Sequence, residues 1–487
     1  MHDLASTWAE RITGMSQPKK HSPKPGQEKP AAGQGKRGGK RKGMCLEDRP
    51  ILEPNAAGID IGAREIFVAV TPDRAEDPVQ VFSTFTEDLE RMAQWLVSCG
   101  VSTVAMESTG VYWIPLYDLL ASRGFQVLLV DPRQTKHAPG RPKTDVVDCQ
   151  WIRRLHSYGL LTGSFRPGDE IICWRGFQRQ RETLIRYAAQ HVQHMQKMLE
   201  EMNVKLTEVV SDIVGLTGMK IIKDIVRGVR DPLKLAKHRH ESCKRSEAEI
   251  AAALHGNWRA ELLFGLKQAL KLYEFYQQQL RDCEAQIKAC LRSMKDRSDG
   301  RPLPPSLRQR KPEKNEVRFG ARALLFRMSS VDLTQIEGIS ETTALVILSE
   351  LGIDLSAFPH EKNFVSWLGL CPQHRGSGGK IFKRRIRRGA NRVARALRMA
   401  AQGCHHAHNA LGAFYRRIQG RSGGGKAIVA TARKIAGRVY RMLKFGHEYV
   451  RQSEAAYEQA YELRLVKSLA KRAAKMGYKL VPEAASP

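Results

Sequence analysis

The sequence predicts an α/β domain followed by a mainly α-helical remainder. Three observations predict it. Between residues 50 and 165, short apolar runs rich in β-branched residues alternate with segments of helical periodicity. Two long stretches further on carry apolar residues at spacings of four and three. Beyond residue 330, apolar residues recur at helical spacing on one side of segments whose other side is Lys and Arg.

The 487 residues suffice for about two to four domains. Eighty Lys and Arg against fifty Asp and Glu give a net charge of +30, which implies a polyanionic partner, most simply nucleic acid. No apolar run approaches the ~18 residues of a membrane span, so no membrane partner is expected. The nine cysteines are scattered and form no CxxC pair, which reads as reduced thiols of a cytoplasmic protein. Cys404-His405-His406-Ala407-His408 lacks a second ligand cluster and reads as a polar helix face.

Residues 1–49 form a Pro-, Gly- and Lys-rich basic tail that cannot bury a core and is expected to be disordered. The α/β domain, 50–165, opens with Ala57 to Val70, AGIDIGAREIFVAV, read as one buried strand with Asp60 in its middle. A carboxylate there needs a cationic partner or a divalent metal, unless it merely turns the chain at Gly58 or Gly62. Val79–Phe85 reads as a strand, Thr86–Ser98 as a helix, and Val101–Met106 as a strand ending at Glu107. A helix through Leu119 follows, then a strand from Phe125 to Val130 ending at Asp131. The alternation predicts a largely parallel sheet, with functional groups at its strand carboxyl ends.

A basic loop with Lys136, His137, Arg141 and Lys143 leads to Thr144, a plausible helix N-cap. Asp145 and Asp148 then share one helix face, three residues apart. First-turn acids complement the helix dipole, but a pair also repels unless a cation joins it. Asp60, Glu107, Asp145 and Asp148 are hard oxygen donors of the kind that suits Mg²⁺ or Mn²⁺. Such a set fits phosphoryl-transfer chemistry on nucleic acid.

Residues 166–295 read as a helical coiled-coil region. Leu184, Ala188, Val192, Met195 and Leu199 mark one long helix; Leu266, Leu270, Tyr273, Leu280 and Ile287 mark a second. Pairing across a dimer is preferred over an intramolecular hairpin. Gly215–Gly256 reads as irregularly helical, and 296–330 as a polar, Pro-containing linker.

Residues 331–450 open with IEGIS, a glycine turn before a helix from Glu341 to Leu351 that is like a helix–hairpin–helix, with Ser340 replacing the usual second glycine. From Lys362 to His447 there are twenty Lys and Arg and no Asp or Glu, which suggests phosphate contact. Within that window, HRGSGGK presents Ser377 in a glycine-rich loop beside Lys380, Lys383, Arg384, Arg385, Arg387, Arg388 and, further on, Arg392. Local sequence favours a phosphate-gripping loop over a nucleophile, because no neighbouring His–Asp pair activates the serine. Arg421–Lys426 lacks the spacing of an ATP-binding P-loop. Residues 451–487 carry a charged helix and a tail.

Taken together, GIDIG, MESTGVYW, KTDVVDCQW, IEGIS…LVILSELG and WLGLCPQHRGSGGK…RRGANRVARAL, in this order, resemble the transposases of the insertion sequence 110 family, especially its 1111 branch. The resemblance covers about 55–165 and 330–450. It implies an RNase-H-like fold of the RuvC type for the first domain, with Asp60, Glu107, Asp145 and Asp148 as an acidic Mg²⁺-binding tetrad. It also implies that Ser377 attacks a DNA phosphodiester, forming a phosphoserine link beside the acidic cluster of another subunit. The implied partners are element and target DNA, a structured non-coding guide RNA and further copies of the chain, as a dimer or tetramer. The implied location is bacterial cytoplasm, at the nucleoid. The alternatives are a Holliday-junction-type nuclease that uses the acids and water, and an inactive nucleic-acid-binding remnant.

Overall fold

The computed structural model describes residues 49–135, 144–306, 314–377, 380–386, 391–446 and 454–481. The basic tail through residue 48, the loop of Lys136, His137, Arg141 and Lys143, and Arg387 and Arg388 lie outside them. Among the described residues, no helix is long and apolar enough to cross a membrane. The chain divides into two compact units, Met1–Ser164 and Phe165–Pro487.

The first unit is built on five strands: β1 (Ala56–Ile61), β2 (Glu65–Ala69), β3 (Val79–Ser83), β4 (Thr103–Glu107) and β5 (Gln126–Val130). They are ordered β3-β2-β1-β4-β5. The stretch expected as one strand from Ala57 to Val70 is a hairpin. Its turn closes through Gly62 N–H donating to Glu65 O at 2.9 Å, and a Cβ on Gly62 would stand 2.7 Å from that oxygen. Asp60 therefore lies at the penultimate position of β1, not mid-strand. The sheet is mixed, since β1–β4 and β4–β5 pair parallel while β1–β2 and β2–β3 pair antiparallel. The hairpin is the reason: a short turn can join only antiparallel neighbours, whereas parallel ones need crossovers. Helices α1 (Thr86–Ser98) and α2 (Trp113–Ser122) supply those crossovers. Leu89, Met92, Ala93 and Leu96 of α1 are buried with Leu116 and Leu120 of α2 against one sheet face. Helix α3 (Asp145–Ser157) lies along β1, and its Ile152 and Leu155 pack with Ala105 and Val130.

Among its described residues, the second unit is helical apart from one hairpin. Helices α4 (Asp169–Glu201) and α9 (Ala260–Ser293) pair with each other inside one chain. The apolar seam read as a dimer contact is thus an intramolecular hairpin. Arg181 and Glu284, both buried, lock its register with Nη2–Oε1 at 2.8 Å, and His191 stacks on Tyr276. Helices α5 (Leu206–Val209), α6 (Leu216–Arg227), α7 (Pro232–Ala236) and α8 (Glu247–Ala253) form a second small core with Met195, Leu199, Leu266 and Leu270 from that pair. The segment read as a linker contains α10 (Ala321–Ser329), whose Leu325 and Met328 join the main core. Its Pro-rich beginning hid that apolar face from the sequence reading.

Helix α11 (Glu341–Leu351) starts at Ser340, whose hydroxyl accepts from Thr343 N–H. Only a single 3₁₀ turn, Leu333–Gln335, precedes the Gly338 turn. Gly338 has φ +89°, and a Cβ there would stand 2.9 Å from Ala400 O, so the turn is pressed against its own protein. Helix α12 (Glu361–Trp367), strands β6 (Pro372–Ser377) and β7 (Lys380–Ile386), and helices α13 (Arg392–Gly403), α14 (Ala410–Ser422), α15 (Gly424–Phe445) and α16 (Glu454–Lys475) complete the unit. Val393, Leu397, Ala436, Val439 and Tyr440 fill the core between α13, α15 and α11.

Candidate active site

The acidic residues of the first unit converge by strand register. Ile59 of β1 pairs with Met106 of the parallel strand β4. Asp60 and Glu107, each one position further, therefore stand side by side, about 5 Å apart along the sheet, at the carboxyl ends of neighbouring strands. Parallel neighbours in register point to the same face.

Helix α3 brings the other two acids to that face. A Cβ on Gly58 would stand 2.2 Å from Arg153 N and 2.4 Å from Cys149 O, so α3 lies directly on the backbone of β1. Asp60, two residues beyond Gly58, faces the same way. At the opposite end, His156 Nε2 lies 2.8 Å from Thr103 Oγ1 at the start of β4. Helix α3 thus runs antiparallel to β1 and β4, with its first turn at their carboxyl ends. Thr144 caps it as expected, accepting from Val147 N–H at 3.3 Å. That first turn carries Asp145, exposed, and Asp148, half-buried.

Glu107 is held by a relay that the sequence reading missed. Thr135 Oγ1 hydrogen-bonds Glu107 Oε1, and Trp151 Nε1 of α3 donates to Thr135 O at 3.0 Å. The loop after β5 therefore ties α3 to β4. The Trp within KTDVVDCQW was the available signal, since a half-buried indole N–H needs an acceptor. Asp131 is a turn residue instead: its carboxylate accepts from Arg133 N–H at 2.9 Å.

Cys149 lies beneath the acids. Burial, with the Asp60 and Asp145 carboxylates adding to it, pushes its thiol up to about 12. It stays a neutral thiol that donates to Val146 O at 3.1 Å, not a thiolate ligand. What remains for a cation is an all-carboxylate donor set, the chemistry that Mg²⁺ or Mn²⁺ prefers. The side chains do not close around such an ion: among the described residues, no three His, Cys, Asp or Glu side chains gather as a ready-made metal set.

Ser377 lies in the second unit, in a β-hairpin and not the expected open loop. It ends β6 and pairs with Lys380, the first residue of β7. His374 pairs with Arg384, Arg375 with Lys383 and Gln373 with Arg385, with a bulge between Arg375 and Gly376. The Gly-Gly pair of SGGK between two runs was the available signal in the sequence.

Arg392 has acidic partners within the protein. It opens α13 half-buried, paired with Glu182 and 3.7 Å from Glu350 Oε1. Other cations of the acid-free window are also matched by acids from outside it: Arg395 by Glu182, Arg438 by Glu337, Arg441 by Glu361 and Arg417 by Glu458. The window is free of acids in sequence but not in space. Within the Cys404–His408 cluster, Cys404–His406 form a 3₁₀ turn, with His405 Nδ1 3.1 Å from His406 Nε2.

Two comparisons meet this geometry. A model described as "Transposase", of the IS110 DEDD type, matches residues 57–204, spanning the acidic edge and α4. A model described as "Transposase IS116/IS110/IS902 family" matches 331–416, spanning the serine hairpin. In these two regions the chain is similar to IS110-family transposases. Among curated relatives, the chain is 32% identical over 133 residues to the "Insertion element IS110 uncharacterized 43.6 kDa protein" of Streptomyces coelicolor. That match covers 26% of this chain and 32% of the relative's length.

Proposed function

We propose that the protein is a DNA transposase that cleaves and rejoins DNA through Ser377, assisted by a divalent metal at its acidic edge. The observation that carries this reading is the convergence of Asp60 and Glu107, by parallel register, with the Asp145–Asp148 turn of α3. Asp60, Glu107, Asp145 and Asp148 would hold Mg²⁺ or Mn²⁺. When bound, the ion supplies charge stabilisation to the phosphate and to the leaving oxygen.

In the proposed step the Ser377 hydroxyl oxygen attacks phosphorus. The Oγ–P bond forms, the P–O3′ bond breaks, and the 3′ oxygen leaves as a hydroxyl with the proton that the serine gave up. Rejoining is the reverse reaction with a different 3′ hydroxyl. The acids and the serine come from different subunits in this reading, so it requires an oligomer. Target choice is delegated to a guide RNA of the element, while basic surfaces hold backbones.

The test uses purified protein, RNA transcribed from the element's flank, Mg²⁺ and labelled DNA carrying the element junction. Wild type is expected to retain label on a denaturing protein gel, and Ser377→Ala is expected to retain none. Asp60→Ala is expected to lower cleavage by about 10³-fold or more while still binding nucleic acid. Cleavage by Ser377→Ala without retained label would replace the serine with water, as in a junction-resolving nuclease. Normal cleavage by Asp60→Ala would remove the acidic edge from the mechanism.

A further inference from the structure

Among the described residues, helix α16 is anchored at one end only. Tyr457 is buried against Ala410 and Ala413 of α14, Arg417 lies 3.5 Å over the Tyr461 ring, and its Nη2 pairs with Glu458 Oε1 at 3.1 Å. From Glu462 to the end of the helix every side chain is exposed except the half-buried Ala470 and Ala473. Leu463 is 59% exposed, Val466 52%, Leu469 42% and Met476, just beyond the helix, 72%. At 100° per residue, Leu463, Val466, Leu469, Ala470 and Ala473 fall on one face. A single helix of this length gains little stability in water without a packed face.

The charges of α16 are segregated along its axis. Its acids, Glu454, Glu458 and Glu462, all precede Leu463, and its bases, Arg464, Lys467, Lys471, Arg472 and Lys475, all follow it. Acids first and bases last suit the helix dipole, which explains the order of signs but not the aliphatic stripe. A second copy laid antiparallel satisfies both. It places each acidic half beside the partner's basic half and sets Leu463 opposite Leu469, with Val466 at the two-fold axis.

We propose that α16 is a self-association surface, joining two copies of this chain through an antiparallel pair of α16 helices. The inference is independent of the proposed reaction, although it supplies one contact of the oligomer that the reaction requires.

The experiment uses the full chain with single added cysteines, cross-linked by mild oxidation and compared with wild type for background from the native thiols. Val466→Cys is expected to give a covalent dimer well above that background. Leu463→Cys mixed with Leu469→Cys is expected to cross-link strongly, and Leu463→Cys alone weakly. A Leu463→Glu/Val466→Glu/Leu469→Glu variant is expected to lower the mass measured by light scattering at matched concentration. Dimer no greater than wild type with Val466→Cys would overturn the proposal. So would Leu463→Cys cross-linking to itself as well as to Leu469→Cys, which would mean parallel pairing. Unchanged mass with weakened DNA or RNA retention in the triple-Glu variant would assign the face to nucleic acid instead.

Discussion

At the acidic edge, Asp60 and Glu107 stand together because two parallel strands share a register, and α3 reaches them because Gly58 lets it lie against β1. In the serine hairpin, Ser377 stands where it does because β6 and β7, close in sequence, pair antiparallel and set it opposite Lys380. The first arrangement joins segments some ninety residues apart in sequence; the second is settled within a dozen. A non-local site depends on every contact that holds its elements in place, whereas a local one travels with its turn. Substitutions far from the carboxylates should therefore damage the acidic edge, and only nearby ones should damage the hairpin.

Gly58→Ala is the largest test of that contrast. The added methyl meets backbone atoms of Arg153 and Cys149, which cannot turn aside. Unfolding of the first unit is expected to lose about 3 kcal/mol in denaturant titration. Cleavage is expected to fall by about 10²-fold as α3 and its two acids shift. Unchanged stability would mean that α3 does not rest on β1.

Next in size is the neutralisation of Arg384, Arg385, Arg387 and Arg388 to Gln. It should leave unfolding unchanged and weaken DNA binding. The slope of log affinity against log salt is expected to flatten by about 0.9 for each phosphate contact removed. Arg392→Gln should leave that slope unchanged and lower stability instead, because its partners are Glu182 and Glu350. If Arg392→Gln flattens the slope as neutralising those four arginines does, the division between internally paired and phosphate-contacting cations fails.

The smallest effect concerns the far end of α3. Burial holds the His156 imidazole below its ordinary value, so it is neutral when folded and takes up a proton more readily when unfolded. Its contribution is present above the unfolded pKa of about 6.5 and is lost as pH falls below it. Unfolding midpoints of the first unit should decline below about pH 6.5, and His156→Gln should flatten that decline. An unchanged pH profile would detach His156 from the clamp on Thr103.

Much of this was legible from short-range pattern. The span of α1 matches its periodicity residue for residue, Thr144 caps α3, and the long helices α4 and α9 follow their leucine spacing. What misled was reading local composition as global placement. The run from Ala57 to Val70 is apolar on both sides of Gly62, and only the turn reveals two strands. The seam of α4 was equally good for a subunit partner or for α9, since periodicity states that a face must be covered but not by what. The acid-free window suggested a bare basic surface, yet Glu182, Glu337, Glu350 and Glu361 reach it from elsewhere in the fold.

The sequence by itself determined most of the helices, the Thr144 cap of α3 and the basic balance. These follow from side-chain chemistry and from periodicities that act over a few residues. The tertiary structure alone decided which strands are neighbours, that β1 and β4 run parallel in register, that α3 crosses β1 at Gly58, and which arginines are neutralised within the protein. Those outcomes depend on contacts between distant segments, whose energies no local window contains.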